Sequence, residues 1–428
     1  MNELPLEMLA NMVRTAWESM QDRLLFLPPF PDQIDSTALF GLLLIVGLII
    51  GERLHALLRW PKVIGYVLAG SAFGPSLLGW ITPETLAQAR PIADMALGLL
   101  MMEIGRRLDL RWLLHNRSLL RAALGEIAIS FAAIFSFATL VAGLSPAWGA
   151  ATAAVTMASA PAVVLLTVEE TGAQGQVTDH IVLHTALGSA AAFILFTFVL
   201  GIVHAENSRE WLNVLVHPLW ISVGALLIAG FVATLALSVA RLVPKRSLAQ
   251  VFVLIALALL AIGVARMLAV PIFLTLFLTG VALALRDRSH TLSYTNLPEG
   301  HWLLAIVLFV IVGASLPWHD FTWLTAVQAI ALLVVRALAK LLAISVLSSH
   351  LATSKRLMIG IGIQPLSATA VFMIYELAAL YPEIGRPALQ LALLSAALMD
   401  LIGPALCQFS LNHARETQHA PTRRGETG

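Results

Sequence analysis

Two cations, Arg336 and Lys340, stand one helical turn apart inside the apolar stretch FTWLTAVQAIALLVVRALAKLLAISVLSSH (321–350), and no carboxylate occurs between Asp320 and Glu376. In hydrocarbon, each cation at a helix centre costs roughly 2.5–3.5 kcal/mol on insertion scales. Cations held at that cost either find partners elsewhere in a helix bundle or line a polar cavity, where an oxyanion would suit them. The bland reading of Arg336 is snorkelling towards the cytoplasmic side or pairing with a carbonyl. That reading is weaker for Lys340, which lies nearer mid-span. Two further stretches have the chemistry of an ion site. TMASAPAVVLL places Ala160 and Pro161 within one apolar run, and GIGIQPLSATA places Gln364 and Pro365 within another. Proline and glycine interrupt the backbone ladder there. The freed polar groups need a protein partner, a water or an ion.

The elements that must position these residues are membrane helices. The chain is 59% hydrophobic and 12% charged, with a mean hydropathy of +0.86, against about 25% charged residues in a soluble domain. Apolar runs of about 20 residues, each long enough to cross a bilayer, recur along the chain. They predict an all-α polytopic protein with thirteen spans near 36–56, 61–79, 89–105, 118–143, 146–168, 179–203, 213–240, 247–266, 268–285, 300–317, 321–350, 356–380 and 387–412. Eighteen of the 26 Lys and Arg residues fall in loops after odd-numbered spans or in the C-terminal tail, and four in loops after even-numbered spans. This bias predicts an outside N-terminus and a cytoplasmic C-terminus. Residues 1–35 read as an amphipathic extracytoplasmic segment without a cleavable signal peptide, and 413–428 as a disordered cytoplasmic tail. The single cysteine, Cys407, excludes an internal disulfide and a thiolate metal cluster. No Gly-rich nucleotide loop or metal-ligand cluster stands out, so neither an enzyme, a cofactor nor a nucleic-acid partner is expected. Interrupted spans in both halves of a chain point to the binding site of an inverted-repeat transporter.

Five segments resemble the sodium/proton exchanger superfamily, and within it the cation:proton antiporter 2 branch. They are PKVIGYVLAGSAFGPSLLG (61–79), LGLLMMEIGRRLDL (97–110), SAPAVVLLTVEETGAQGQVTD (159–179), RALAK (336–340) and LMDLIGP (398–404). The resemblance covers about residues 36–412. It implies two inverted five-helix repeats whose broken helices cross near mid-membrane, beside a second domain that dimerises. It also implies alternating access, with a monovalent cation exchanged for protons, in a bacterial inner-membrane homodimer. In the family, an acidic pair on the span after the first broken helix balances the helix ends, together with a Lys or Arg on the span before the second. RALAK supplies that cation here.

The acidic pair is where this chain departs from the resemblance. Counted without gaps from Thr178-Asp179, its position falls on Gly188-Ser189 in HTALGSAAAF. Neither residue ionises. Ser189 offers one neutral oxygen. His184, four residues before Gly188 and on the same helix face, titrates in the right range. Its plain reading is a hydrogen-bonded structural residue. Among the remaining acids, Glu103 is expected to pair with Arg106, Glu126 to pair with Arg121 or face the interface, Asp400 to be structural and Glu376 to be solvated. Three readings follow. One is a cation:proton antiporter with a relocated titratable group and a Na+ or K+ site near Ser189. Another is a transporter of anions or organic acids, its site left net positive by Arg336 and Lys340. The third is a family member that does not transport.

Overall fold

The computed structural model describes residues 15–16, 20, 36–108, 113, 115–208, 212–243, 248–287, 298–366, 370, 373 and 385–417. Nearly all of the predicted N-terminal amphipathic segment, the outer part of the twelfth span with Glu376, and the tail beyond 417 lie outside these residues. A small unit, Met1–Leu42, includes the beginning of the first helix, and Leu43–Gly428 form the second unit.

Fourteen helices are described. They are α1 (Ser36–Leu58), α2 (Lys62–Phe73), α3 (Pro83–Arg107), α4 (Arg117–Leu140), α5 (Pro146–Thr156), α6 (Pro161–Thr171), α7 (Gln176–Ser208), α8 (Leu212–Ala240), α9 (Leu248–Met267), α10 (Ile272–Arg286), α11 (Pro298–Ala314), α12 (Trp323–Leu347), α13 (Thr353–Gly362) and α14 (Arg386–His413). They account for all thirteen predicted spans, because the fifth span is divided into α5 and α6. Among the described residues, seven segments are long and apolar enough to cross a membrane, and α5 with α6 counts as one of them.

Local chemistry sets the ends. Thr82 and Thr322 cap α3 and α12 by accepting from the amides of Thr85 and Thr325 at 3.3 and 3.2 Å. Pro83, Pro146 and Pro161 occupy first-turn positions, where a missing N–H is harmless. Close approach between α3 and α10 depends on glycine. A Cβ on Gly105 would lie 2.1 Å from the Phe277 carbonyl, and one on Gly280 would lie 2.0 Å from the Met102 carbonyl. Small residues at such contacts let membrane helices pack backbone to backbone.

The helices nearest the breaks show their orientation by periodicity. On α12, Ala329, Leu332, Leu333, Arg336, Ala339, Lys340, Ala343 and Ile344 are buried. Ile330, Val334, Leu338, Leu342 and Val346 form the opposite, exposed apolar stripe. This is the pattern of a helix with one face in the bundle and the other facing lipid. α4 carries a matching inward stripe that includes Leu119, Ala122, Glu126, Ser130 and Phe137. α4 and α12 pack on each other, α5 packs on α4 and α7, and α14 packs on α5, α6, α12 and α13.

Residues 158–160 separate α5 from α6 without helical structure, and residues 364–366 follow the end of α13 without it. The two non-helical segments touch, because the Ala160 amide donates to the Pro365 carbonyl at 2.9 Å and the Ser159 hydroxyl to the Ile363 carbonyl at 2.9 Å. The groups freed by the two breaks therefore partly satisfy one another.

Candidate functional site

Arg336 reaches this crossing from α12 and is fully buried. Its guanidinium does not snorkel. Nε donates to the Thr156 carbonyl at 2.7 Å, Nη1 to the Gln364 carbonyl at 2.6 Å, and Nη2 to the Ala158 carbonyl at 2.9 Å. The Gln364 side chain also accepts from Nη1 at 3.2 Å through Oε1, and donates to the Gly360 carbonyl at 2.8 Å. Nη2 makes a longer contact of 3.5 Å with the Pro365 carbonyl. These carbonyls lie at or just beyond the C-terminal ends of α5 and α13, where unpaired acceptors and the helix dipole concentrate partial negative charge. One planar cation thus joins both broken helices. A planar fork with five donors suits this task, whereas an ammonium would not span it.

Lys340, one turn further along α12, has a different partner. Its Nζ lies 2.5 Å from Glu126 Oε1, and both side chains are almost fully buried. The same carboxylate oxygen accepts from the Ser130 hydroxyl at 3.1 Å. Lys340 also donates to the Ser159 hydroxyl at 3.0 Å. This corrects the sequence reading of Glu126, which is neither paired with Arg121 nor at the interface. Arg121 instead donates to its own helix, at the Arg117 carbonyl. The error lay in judging Glu126 by its distance from the end of the span. Its register with Leu119, Ala122, Ser130 and Phe137 puts it on the inward face. Of the two cations expected to leave the site net positive, Lys340 is matched by an acid on α4, whereas Arg336 meets carbonyls alone.

Ser159, which the sequence reading did not single out, connects the elements. Its hydroxyl meets Lys340 and the Ile363 carbonyl, and its own carbonyl accepts from the Ser189 hydroxyl at 2.6 Å. Ser189 is thereby tied to the break between α5 and α6. Gly188 is adjacent and uncrowded. A Cβ there would find only the Ser159 hydroxyl oxygen, 4.0 Å away, so close packing does not require glycine at this position. His184 is buried, and neither ring nitrogen has a hydrogen-bond partner. The plain expectation of a hydrogen-bonded structural histidine is therefore not met. Its ring lies within electrostatic reach of both Glu126 and Lys340. Pro161 opens α6 and makes no polar contact of its own, while Ala160 contributes its amide to the crossing. The candidate residues Arg336, Lys340, Ser189, Gly188, His184, Ala160, Pro161, Gln364 and Pro365 therefore gather around one crossing, with Glu126 and Ser159 added.

The other acids sort differently. Glu103 pairs with Arg106 at 3.2 Å, as its spacing predicts, and also with Arg107 at 3.1 Å. Arg107 continues to Glu169 at 2.6 Å. Asp400 on α14 is buried, and neither carboxylate oxygen has a hydrogen-bond partner.

A family model described as the transmembrane sodium/hydrogen exchanger matches residues 40–407. The chain belongs to the sodium/hydrogen exchanger family. Solved structures agree on the fold. The sodium proton antiporter MjNhaP1 from Methanocaldococcus jannaschii, at pH 8, superposes with a TM-score of 0.67 at 15% identity, over 88% of this chain and 97% of that one. An electron-microscopy structure of the same antiporter gives 0.66 at 15% identity, over 89% and 95%. No curated protein matches the chain. This exchanger-family chain therefore has the inverted-repeat fold with crossed broken helices, and it is a multi-pass membrane protein. Within that fold, an acid on α4 lies beside the Lys of α12, and Gly188-Ser189 stand on α7 where an ionisable pair was expected.

Proposed function

We propose that this protein is a monovalent cation:proton antiporter in which Glu126 and Lys340 take over the work of the absent acidic pair. The observation that carries this reading is the buried 2.5 Å contact between them beside the helix crossing. Family membership supports cation and proton as the exchanged species. A buried carboxylate can hold either a hard cation or a proton. A cation of Na+ or K+ size prefers oxygen ligands, and oxygens of Glu126, Ser159 and Ser189 converge at the crossing.

Exchange then follows from competition. With no cation bound, Lys340 neutralises Glu126. A cation entering beside the carboxylate displaces the ammonium, and Lys340 sheds a proton to the side open to it. After the crossing moves, release of the cation lets Lys340 take up a proton and the pair re-forms. Arg336 holds α5 and α13 together throughout, so they move as one body. We assign alternating access to motion of this body against the rest of the bundle. We read the protein as a homodimer in the bacterial inner membrane, with the N-terminus outside and the C-terminus in the cytoplasm, a reading supported by the distribution of Lys and Arg and by the family resemblance. Lys340 is held by Glu126 and Ser159, and Arg336 by carbonyls, so both cations already have partners at the crossing, which favours the cation reading over the anion one.

The test is transport by the purified protein in liposomes loaded with a pH-sensitive dye. Pulses of Na+, K+ or Li+ should dissipate an imposed proton gradient. Absence of a response to every monovalent cation, with a response to an anion, would reverse the assignment.

A further inference from the structure

His184 has a companion. His180 lies one turn earlier on α7 and is also buried. The two rings are nearly parallel, with centroids 6.3 Å apart and planes inclined by 21°. Nδ1 of His180 and both nitrogens of His184 are buried without hydrogen-bond partners. An unsatisfied buried polar group costs about 1–3 kcal/mol, and buried polar atoms nearly always find partners. An apolar pair would pack at this position without that cost, so the two imidazoles need a reason to be there.

Their surroundings supply one. His184 is within electrostatic reach of the buried pair, Glu126 on α4 and Lys340 on α12. His180 is within reach of a different set of groups. These are His350, exposed in the turn after α12, with Lys355 on α13 and Glu416 after α14. Asp179, beside His180 on α7, faces Glu416. Glu416 closes the N-terminal end of α7 by accepting from the amides of Val177 and Thr178 at 2.9 and 2.8 Å, and Lys355 donates to Gln176 at 2.7 Å. One end of the histidine pair therefore lies within electrostatic reach of a charged surface, and the other within reach of the ion pair at the crossing.

We propose that His180 and His184 form a proton relay between the surface at the N-terminal end of α7 and the Glu126–Lys340 pair. Water at the surface gives a proton to one nitrogen of His180. The other nitrogen passes a proton to His184, and His184 in turn delivers one to Glu126 or to a deprotonated Lys340. Each ring gains one proton and loses one, so a single proton is transferred and the relay ends uncharged. The centroid separation exceeds a direct hydrogen bond, so each transfer between the rings requires a ring rotation or a bridging water. Imidazole suits this role because each nitrogen can donate or accept and its charge changes near neutral pH. The inference rests on the antiport reading above and adds the route by which protons arrive.

The test uses the full-length protein in dye-loaded liposomes and two variants, His180→Gln and His180→Gly. Cation-driven proton flux in both is expected to fall by about a hundredfold or more, the lower end of the range for loss of a positioned acid–base group. Added imidazole is expected to restore flux in His180→Gly, and to leave the wild type and His180→Gln unchanged. Wild-type flux and pH profile in a folded, monodisperse His180→Gln protein would overturn the relay, as would failure of imidazole to rescue a folded His180→Gly. A wild-type protein with no cation-driven proton flux would instead overturn the antiport reading itself.

Discussion

Glu126 on α4 and Lys340 on α12 are 214 residues apart in sequence and meet at 2.5 Å in the interior of the bundle. Removing one partner of such a pair strands the other charge, at a typical cost of about 3–5 kcal/mol. Glu126→Gln is therefore expected to abolish cation-driven proton flux and to lower thermal stability clearly. Glu126→Gln combined with Lys340→Met removes both charges and should recover most of the lost stability without recovering flux. Thermal unfolding followed by size exclusion, beside the liposome assay, separates the two effects.

Protons compete with cations for a carboxylate. At constant proton gradient, the apparent affinity for Na+ is expected to rise with pH, because fewer Lys340 side chains are then protonated to hold Glu126 against the cation. Measuring half-saturating Na+ at several pH values checks this, and a pH-independent value in the wild type would remove Glu126 from the exchange step.

Gly188 offers a direct test of the relocation. The open space at its Cβ position predicts that Gly188→Asp folds, with a loss of stability set by the burial of its carboxylate. It brings a carboxylate to the Ser159 side of the crossing. Combined with Glu126→Gln, it is expected to return at least part of the flux that Glu126→Gln alone loses. Complete inactivity of a folded double variant would show that a carboxylate at this point of α7 cannot replace the one on α4.

Arg336 is held by three short bonds to carbonyls near the ends of two helices. Hydrogen bonds to a charged group contribute about 1.5–3 kcal/mol each. Arg336→Lys keeps the charge but cannot form the fork. It should lower the unfolding temperature more than Ser189→Ala, which loses only the neutral bond to the Ser159 carbonyl, worth about 1 kcal/mol. The two unfolding curves decide the order.

Asp400 is buried, and neither of its carboxylate oxygens has a hydrogen-bond partner. An unpaired charge is expensive to keep in an apolar interior. Asp400→Asn keeps the shape and removes the charge, so its unfolding temperature is expected to equal or exceed that of the wild type. A marked fall would point to a partner that only the carboxylate satisfies.

The sequence by itself determined the spans, the breaks and the membrane setting. Apolar length reports a crossing helix directly, and Pro161 and Pro365 act on the backbone within a few residues of themselves. The inward faces of α4 and α12 are also local, because a 3.6-residue period places Glu126 with Ala122 and Ser130, and Lys340 with Arg336 and Ala343. Which inward residue meets which was decided by the tertiary structure. The partner of Lys340, the carbonyls around Arg336 and the hub at Ser159 join segments up to 214 residues apart. Periodicity says only that a charge faces inward. Its match depends on how the helices pack, and here the acid comes from α4 and not from α7.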